Sequence, residues 1–549
     1  MSVAVVIGGG QNGLAAAIGL AAAGRKVVVL ERREAIGGLA GAIEFHPGYR
    51  VPGILHDEGL IEPRIAARLG LERHGLAFRD APPIFLAGTP GAPANTAAAP
   101  GAPGAPAAPG NVGGIGGTGG TGAAGGGILL DRDASRAAAE IGAVSPRDAA
   151  AYARYRAFFA ELRPLLAGVL TAPPPPLTPA GPADFWAIAR QGFAAWRLGR
   201  RATLELLRVA PMCVADFLNE RFETPLLVAG LAAPAVAGTW AGPWSAGTTT
   251  NLLLHEAAPG RQVAGGPAAL IAALERAARA AGVTIRTGAE VARIRVESQR
   301  ATGVTLVSGE TIDAGLVIAT CDPKRAFLEL IAPGTLPIRI EHEYRRIRMR
   351  GTAAKIHLAL NGPLELAARP GRLFEHIRIG AGHVDDLERA FDALKYGQAA
   401  AAPHLEIRVP SVADPGLAPA GHHAVSILAS YAPHAVEGGW TGARRSAFLD
   451  AVLATLERHA PDLRQRLVAA ELLTPADLES RYALTGGQLH HGEPALDQLL
   501  VLRPAPSAAR YATSVRGLYL GGSGSHAGGG VNCAAGALAA AAARREPSH

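Results

Sequence analysis

Three glycine-bearing stretches, together with a few acids and histidines, are the residues whose types and spacing bear on chemistry. The first is Gly8-Gly9-Gly10-Gln11-Asn12-Gly13, a G-x-G-x-x-G run with Glu31 standing 23 residues after Gly8. Gly8 permits a tight turn, Gly10 lets backbone approach a pyrophosphate, and Gly13 lets a helix pack closely on a strand. A helix beginning here offers free N–H groups and a positive dipole end to phosphates. Glu31 has the chemistry to accept hydrogen bonds from a ribose diol, and Arg32 beside it is a further candidate for a nucleotide contact. The second stretch, Gly37-Gly38, adds another point of close backbone approach and favours a long, extended dinucleotide. Spacing alone does not separate FAD from NAD.

The elements needed to position these residues are present. Val3 to Ile7 is a short apolar run, as in a strand buried on both faces. Leu14 to Ala23 reads as a helix of small residues, Gly24 ends it, and Val27 to Leu30 is a second strand. A similar unit follows Gly265-Gly266, with a helix from Pro267 to Ala281 and a strand from Val283 to Thr287. After a hairpin through residues 293–312, Leu316 to Thr320 reads as a buried strand that rejoins the N-terminal sheet.

The third stretch, Gly517 to Val531, is a strand, a glycine run and the start of an Ala-rich helix. It places a second helix N-terminus against a flat or anionic ligand.

Other readings are excluded. Cys213, Cys321 and Cys533 are the only cysteines, and no CxxC occurs, so dithiol chemistry, a Cys-rich zinc site and a disulfide scaffold fall away. The pairs His422-His423 and His490-His491 lack the i, i+4 spacing and partner acids of ligands on one helix face, so no metal site is expected. A net charge of +7 on 549 residues is a mild, scattered excess and marks no nucleic-acid partner. No apolar run reads as a membrane span, and residues 3 to 24 lack the basic start of a signal peptide. A cytoplasmic location follows as the expectation, with membrane association open to it.

Residues 88 to 127 hold 15 Gly and 6 Pro and no charge, between Ile84-Phe85-Leu86 and Ile128-Leu129-Leu130. The composition is that of a disordered insertion at the tip of a hairpin. Ser145 is an N-cap with Pro146 at N1, opening a helix to Leu170. Along Asp184 to Val209, Phe185, Phe193 and Trp196 share one side, and Arg190, Arg197, Arg201 and Arg208 an adjacent one. Such a stripe suits a helix on a membrane surface, a cap on an apolar tunnel, or a core-facing helix with a solvated edge. Segments 355–360 and 405–409 alternate as in a sheet with one buried face, and 444 to 472 look helical.

The N-terminal GGGQNGLAAA…VVVLERR…IGG and the C-terminal GLYLGGSGSHAGGGV resemble the phytoene desaturase and carotenoid isomerase group of FAD enzymes. Gly486 to Glu493, Asp497-Gln498 and Arg503-Pro504 point within it to the subgroup of pyridine nucleotide-disulfide oxidoreductase domain-containing protein 2. The likeness covers nearly the whole chain outside 88–127. It implies non-covalent FAD and an apolar small-molecule substrate, often drawn from a membrane. It implies that Gly8, Gly10 and Gly13 hold the pyrophosphate and Glu31 the ribose, with Gly38 and Leu39 by the phosphates or ribityl chain. Val291 would meet the adenine, and Gly522, Ser523 and Val531 the ribityl and ring.

The expected fold is α/β, a Rossmann-type, glutathione-reductase-like FAD-binding domain, discontinuous, with an inserted α+β substrate domain. Its parts are FAD-binding segments 1–87, 256–333 and 481–549, the insertion 88–127, a mainly helical lid region 128–255 and a substrate domain 334–480. The expected activity is desaturation by hydride transfer to flavin N5. The alternatives are isomerisation without net oxidation, and a non-catalytic FAD-fold protein that regulates or binds a partner. His526 is the first candidate for a catalytic base, ahead of His490, His491, Glu493 and His56, with a loop histidine bonded to backbone as its other reading.

Overall fold

The computed structural model describes residues 3–55, 61–88, 126–176 and 181–545. The expected insertion, apart from Gly88, Gly126 and Gly127, lies outside the described residues, as do His56 and the Arg190 side chain.

A five-stranded parallel sheet is assembled from four distant parts of the chain. Ala4–Ile7 lies at its middle, pairing with Val27–Leu30 on one side and Leu316–Ala319 on the other. Thr284–Arg286 and Leu518–Leu520 extend it outward. These strands are buried on both faces because alternate residues serve different cores. Val6, Val29 and Ile318 pack against the helices Gln11–Ala21, Gly266–Ala280 and Ala534–Ala543. Val5, Val317 and Ala319 pack against a three-stranded antiparallel sheet that includes Val291, Ile294 and Val304. Helices on one face and a β-meander on the other complete the Rossmann-type fold.

The helices at the two chain ends are in close contact. A Cβ on Gly536 would fall 1.9 Å from the Asn12 carbonyl oxygen, and one on Gly19 would fall 2.9 Å from Ala540 Cβ. The Ala and Gly content of both helices is the condition for this approach.

A seven-stranded mixed sheet forms the other half, in the order Leu467–Leu473, Ala353–Leu360, His423–Ser430, Leu405–Arg408, His376–Ile379, Ile84–Leu86, Ile128–Leu130. The expected hairpin forms, with Ile84 opposite Leu130. It does not belong with the nucleotide half, however. Ile84–Leu86 pairs in parallel with His376–Ile379, so the border drawn at residue 87 falls too late. A three-residue apolar strand carries no local mark of which sheet it will join.

Three further expectations are corrected. The helical reading of 444–472 holds for Gly442–Glu457, but Leu467–Leu473 is an edge strand paired with Ala353–Leu360. A short apolar run fits helix or strand, and ladder hydrogen bonds decide. Ala353–Leu360 is buried along both faces instead of one, Lys355 and His357 included, because the nucleotide half covers its second face: Phe45 lies 5.3 Å from the His357 ring. The helix Pro182–Val209 breaks at Gly199 (φ 81°, ψ 159°), so Arg201 and Arg208 do not continue the row of Arg197. Arg208 instead pairs with Glu205 and Glu220.

Among the described residues, no helix is long and apolar enough to cross a membrane, and no cluster of three His, Cys, Asp or Glu is placed to hold a metal.

Helix propensity alone makes Gly536→Ala stabilising by about 1 kcal/mol. The contact with Asn12 reverses the sign: the variant is expected to lose about 1–3 kcal/mol. Urea denaturation measures it, and a gain in stability would contradict the close packing.

Candidate functional site

The turn after the first strand shapes a cavity of about 170 Å³. Gly8 has φ 102°, and Thr320 fixes the turn from the neighbouring strand by donating to the Ile7 carbonyl oxygen at 2.8 Å. A Cβ on Gly13 would lie 1.9 Å from the Gly8 oxygen, so this glycine serves helix-on-strand packing. Gly10 is different. An added Cβ there would find no protein atom nearer than 4.0 Å and would project into the cavity.

Glu31 is buried at the end of its strand. Its Oε2 accepts from the Gly9 N–H at 2.7 Å and its Oε1 from the Arg33 N–H at 2.9 Å. The carboxylate is held at the cavity wall with lone pairs left for a diol. Gly38, Leu39, Val291 and Ser523 line the same cavity. Arg32 also lines it, with its guanidinium donating to the Arg481 carbonyl at 2.7 Å.

Three of the expected residues do not line the cradle. Gly13 and Gly522 line neither cavity; a Cβ on Gly522 would sit 2.4 Å from the Thr320 carbonyl, so its role is close strand contact. Val531 is buried in the core beneath the end helices. Conversely, sequence reasoning passed over Gln11 and Asn12, the variable positions of the glycine motif. Gln11 Nε2 donates to the Gly530 carbonyl at 2.6 Å, and its Oε1 accepts from Cys533 N–H at 3.1 Å. Asn12 Nδ2 donates to Ser523 Oγ at 3.3 Å, and its Oδ1 accepts from Gly536 N–H at 3.2 Å. These four bonds lay the C-terminal glycine run over the N-terminal cradle. Amide side chains at variable positions are the only sequence signal for them.

A second cavity, about 320 Å³, lies next to the first, and Leu55 lines both. Ile54, Leu170, Leu254, Leu428 and Leu489 give it an apolar lining, and Ala527, Gly528 and Gly529 close the end next to the cradle. One wall is charged. His376 and Arg378 lie opposite Arg408 and Glu406 on adjacent strands, while Ile377, Ile379, Leu405 and Ile407 turn to the core behind. Arg378 Nε donates to Glu406 at 2.7 Å, and His376 bonds the same carboxylate. Burial pushes Glu406 up, but Arg378 and His376 outweigh it and hold the carboxyl well below its usual range. Burial drives His376 down to about 3, so it bonds as a neutral ring.

The expected base does not face this cavity. His526 is 2% exposed, lines neither cavity, and bonds the Val169 carbonyl oxygen through Nε2 at 2.9 Å. Burial holds its pKa below the usual histidine value. Glu493 is consumed by ion pairs to Arg348 and Arg350. His491 lines the cradle, pushed down to about 4 by burial, and His490 lines the larger cavity. Burial raises Cys321 to about 12, so its thiol stays protonated.

The model of the flavin-containing amine oxidoreductase family matches residues 154–543, and an NAD(P)-binding Rossmann-like domain matches 6–59. The chain is 32% identical to pyridine nucleotide-disulfide oxidoreductase domain-containing protein 2 of Mus musculus, over 98% of this chain and 92% of that one. It is 28% identical to the neurosporene-forming phytoene desaturase of Cereibacter sphaeroides over 49% of this chain and 50% of that protein. Among solved structures, cyclohexylamine oxidase from Brevibacterium oxydans superposes with a TM-score of 0.54 at 15% identity, covering 99% of this chain and 98% of that one. The chain belongs to the flavin-containing amine oxidoreductase family, and it is an FAD-dependent oxidoreductase.

The cradle fits FAD: an acid placed for a ribose, a glycine whose missing Cβ keeps the cavity open, and a helix N-terminus behind it. Replacing Glu31 by Ala removes the charge-assisted contact and is expected to weaken FAD retention roughly tenfold to a hundredfold. Flavin occupancy after dialysis reads this, and full occupancy would contradict the assignment.

Proposed function

We propose that this protein dehydrogenates a long, largely apolar molecule, isoprenoid-like or related in skeleton. The observation that carries the reading is the larger cavity, mostly apolar in its lining and adjacent to the nucleotide cradle, with Leu55 lining both. The partial likeness to a phytoene desaturase supports it. FAD, when bound, supplies a two-electron acceptor for a hydride. The chain's own part is to bind and orient the substrate. Leu170, Leu254 and Leu489 exclude water along the skeleton, while Arg378, Glu406 and His376 offer hydrogen bonds to a polar end. His490, beside Gly529, takes the place of His526 as the histidine facing the substrate at the cradle end.

Contact with an anionic lipid surface belongs to the same proposal. Phe185, Trp186, Phe193 and Trp196 are exposed along one helix, both tryptophans at 74%. Phe193 and Trp196 stack at 5.5 Å, Arg197 lies over the Phe193 ring, and exposed Arg200 and Arg201 follow beyond the Gly199 break. Opposite this face, Asp184 ties the helix to Arg510 at 2.8 Å. Aromatic side chains with a cationic border complement an anionic interface.

Anaerobic holoenzyme mixed with a neutral isoprenoid lipid extract is expected to lose its flavin absorbance. Bleaching by putrescine alone, or an altered double-bond geometry without bleaching, would contradict the reading. Sedimentation with vesicles containing phosphatidylserine is expected to drop severalfold in Trp186→Ser/Trp196→Ser. Equal binding by the variant, or no binding by the parent protein, would remove the membrane contact.

A further inference from the structure

Arg503 is a buried cation with no acid to balance it. It is 2% exposed and lines the larger cavity at the end closed by Ala527 to Gly529. Its Nη2 donates to the carbonyl oxygens of His490 at 2.6 Å, Ser523 at 2.9 Å and Gly492 at 3.3 Å. Its Nη1 donates to Gln498 at 3.3 Å and Gly492 at 3.4 Å. No carboxylate among the described residues pairs with it, and its Nε is buried without a partner. The neighbouring acid, Glu493, is committed to Arg348 and Arg350. The histidines around it add no negative charge, and the guanidinium itself helps keep His491 and His526 neutral.

A buried charge without a counter-ion costs several kcal/mol, and a chain that keeps one there has a compensating use for it. Position identifies the use. The cradle runs from Glu31 and Val291, past Gly10 and Gly38, to Ser523. Arg503 holds the Ser523 carbonyl from the other side and faces the space beyond it. That space, bounded by Gly528 and the start of the C-terminal helix at Asn532 and Ala534, is where an extended dinucleotide must place its ring.

We infer that Arg503 is the electrostatic partner of the reduced flavin: its guanidinium balances the negative charge that the ring gains when FAD takes up two electrons and one proton. The hydrogen-bond acceptors around Arg503 are neutral carbonyls, so its charge stays uncompensated until that moment. The N-terminus of the C-terminal helix adds a smaller contribution of the same sign. The inference rests on the FAD chemistry and is independent of which substrate is oxidised.

The test uses purified, FAD-loaded protein. In Arg503→Met, the flavin midpoint potential is expected to fall and sulfite, which also leaves negative charge on the ring, to bind at least tenfold more weakly. Arg503→Lys keeps the charge and is expected to stay close to the parent protein in both. An unchanged potential in Arg503→Met would overturn the inference, and is the result expected if the guanidinium serves a substrate anion. Equal losses in the Lys and Met variants would overturn it too, by showing that hydrogen bonding and not charge matters. Should neither variant fold, the parent protein decides. The slope of its midpoint potential against pH in mildly acidic buffer is expected to show one proton taken up per two electrons, below the uptake of free FAD measured alongside. Two protons per two electrons would overturn the assignment.

Discussion

The helix that follows the first strand and the helix that ends the fold touch where there is no room for a side chain. Gly536 sits against the Asn12 carbonyl and Gly19 against Ala540. The nucleotide cradle depends on that contact. The N-terminal segment alone makes half a cradle, with Gly8, Gly10 and Glu31 along one side. Only when the C-terminal helix is seated do Gln11 and Asn12 reach the glycine run and bring Ser523 to the other side. The high Ala and Gly content, unspecific as a bulk property, is at this place a geometric requirement.

The nucleotide half was legible because its signals are local. A buried strand, a glycine turn and a closing acid lie within thirty residues, and each has one physical reading. The parallel sheet could be extended to Leu316–Ala319 because a continuous apolar run suits a strand buried on both faces, and to Leu518–Leu520 because a glycine run and a small-residue helix follow it. The substrate half was less legible because its order is set by non-local pairing. Ile84–Leu86 and Leu467–Leu473 carry no pattern that names their partner strand, and both were misplaced. Lys355 and His357 look solvent-facing in sequence, yet they are buried, since alternation reports polarity and not what covers a face. His526 turns away from the larger cavity for a related reason. Its place inside the glycine run marked proximity to the cofactor, while the direction of its side chain was decided by the Val169 carbonyl on a distant helix.

Charge distribution gives the two cavities different characters. The substrate wall carries Arg378, Glu406 and His376, which satisfy one another in a network and so are held in place before any ligand arrives. Arg503, at the junction, is satisfied only by carbonyls. Where charges in a low-dielectric interior compensate each other, they orient; where one is left over, it acts on whatever charge appears next to it. On the proposed reading, the first arrangement serves recognition of a substrate end group and the second the redox state of the ring.

The central claim is that the two chain ends build a single site, with adenosine at Glu31 and Val291 and the flavin ring under Ala527 to Gly529. A crystal structure of the FAD-bound protein tests it most directly. Continuous density is expected from the Glu31 carboxylate past Gly10 and Ser523, ending with the ring between Arg503 and the start of the C-terminal helix. Density for the ring away from Gly528, or a dinucleotide reversed so that its ring lies at Glu31, would contradict it.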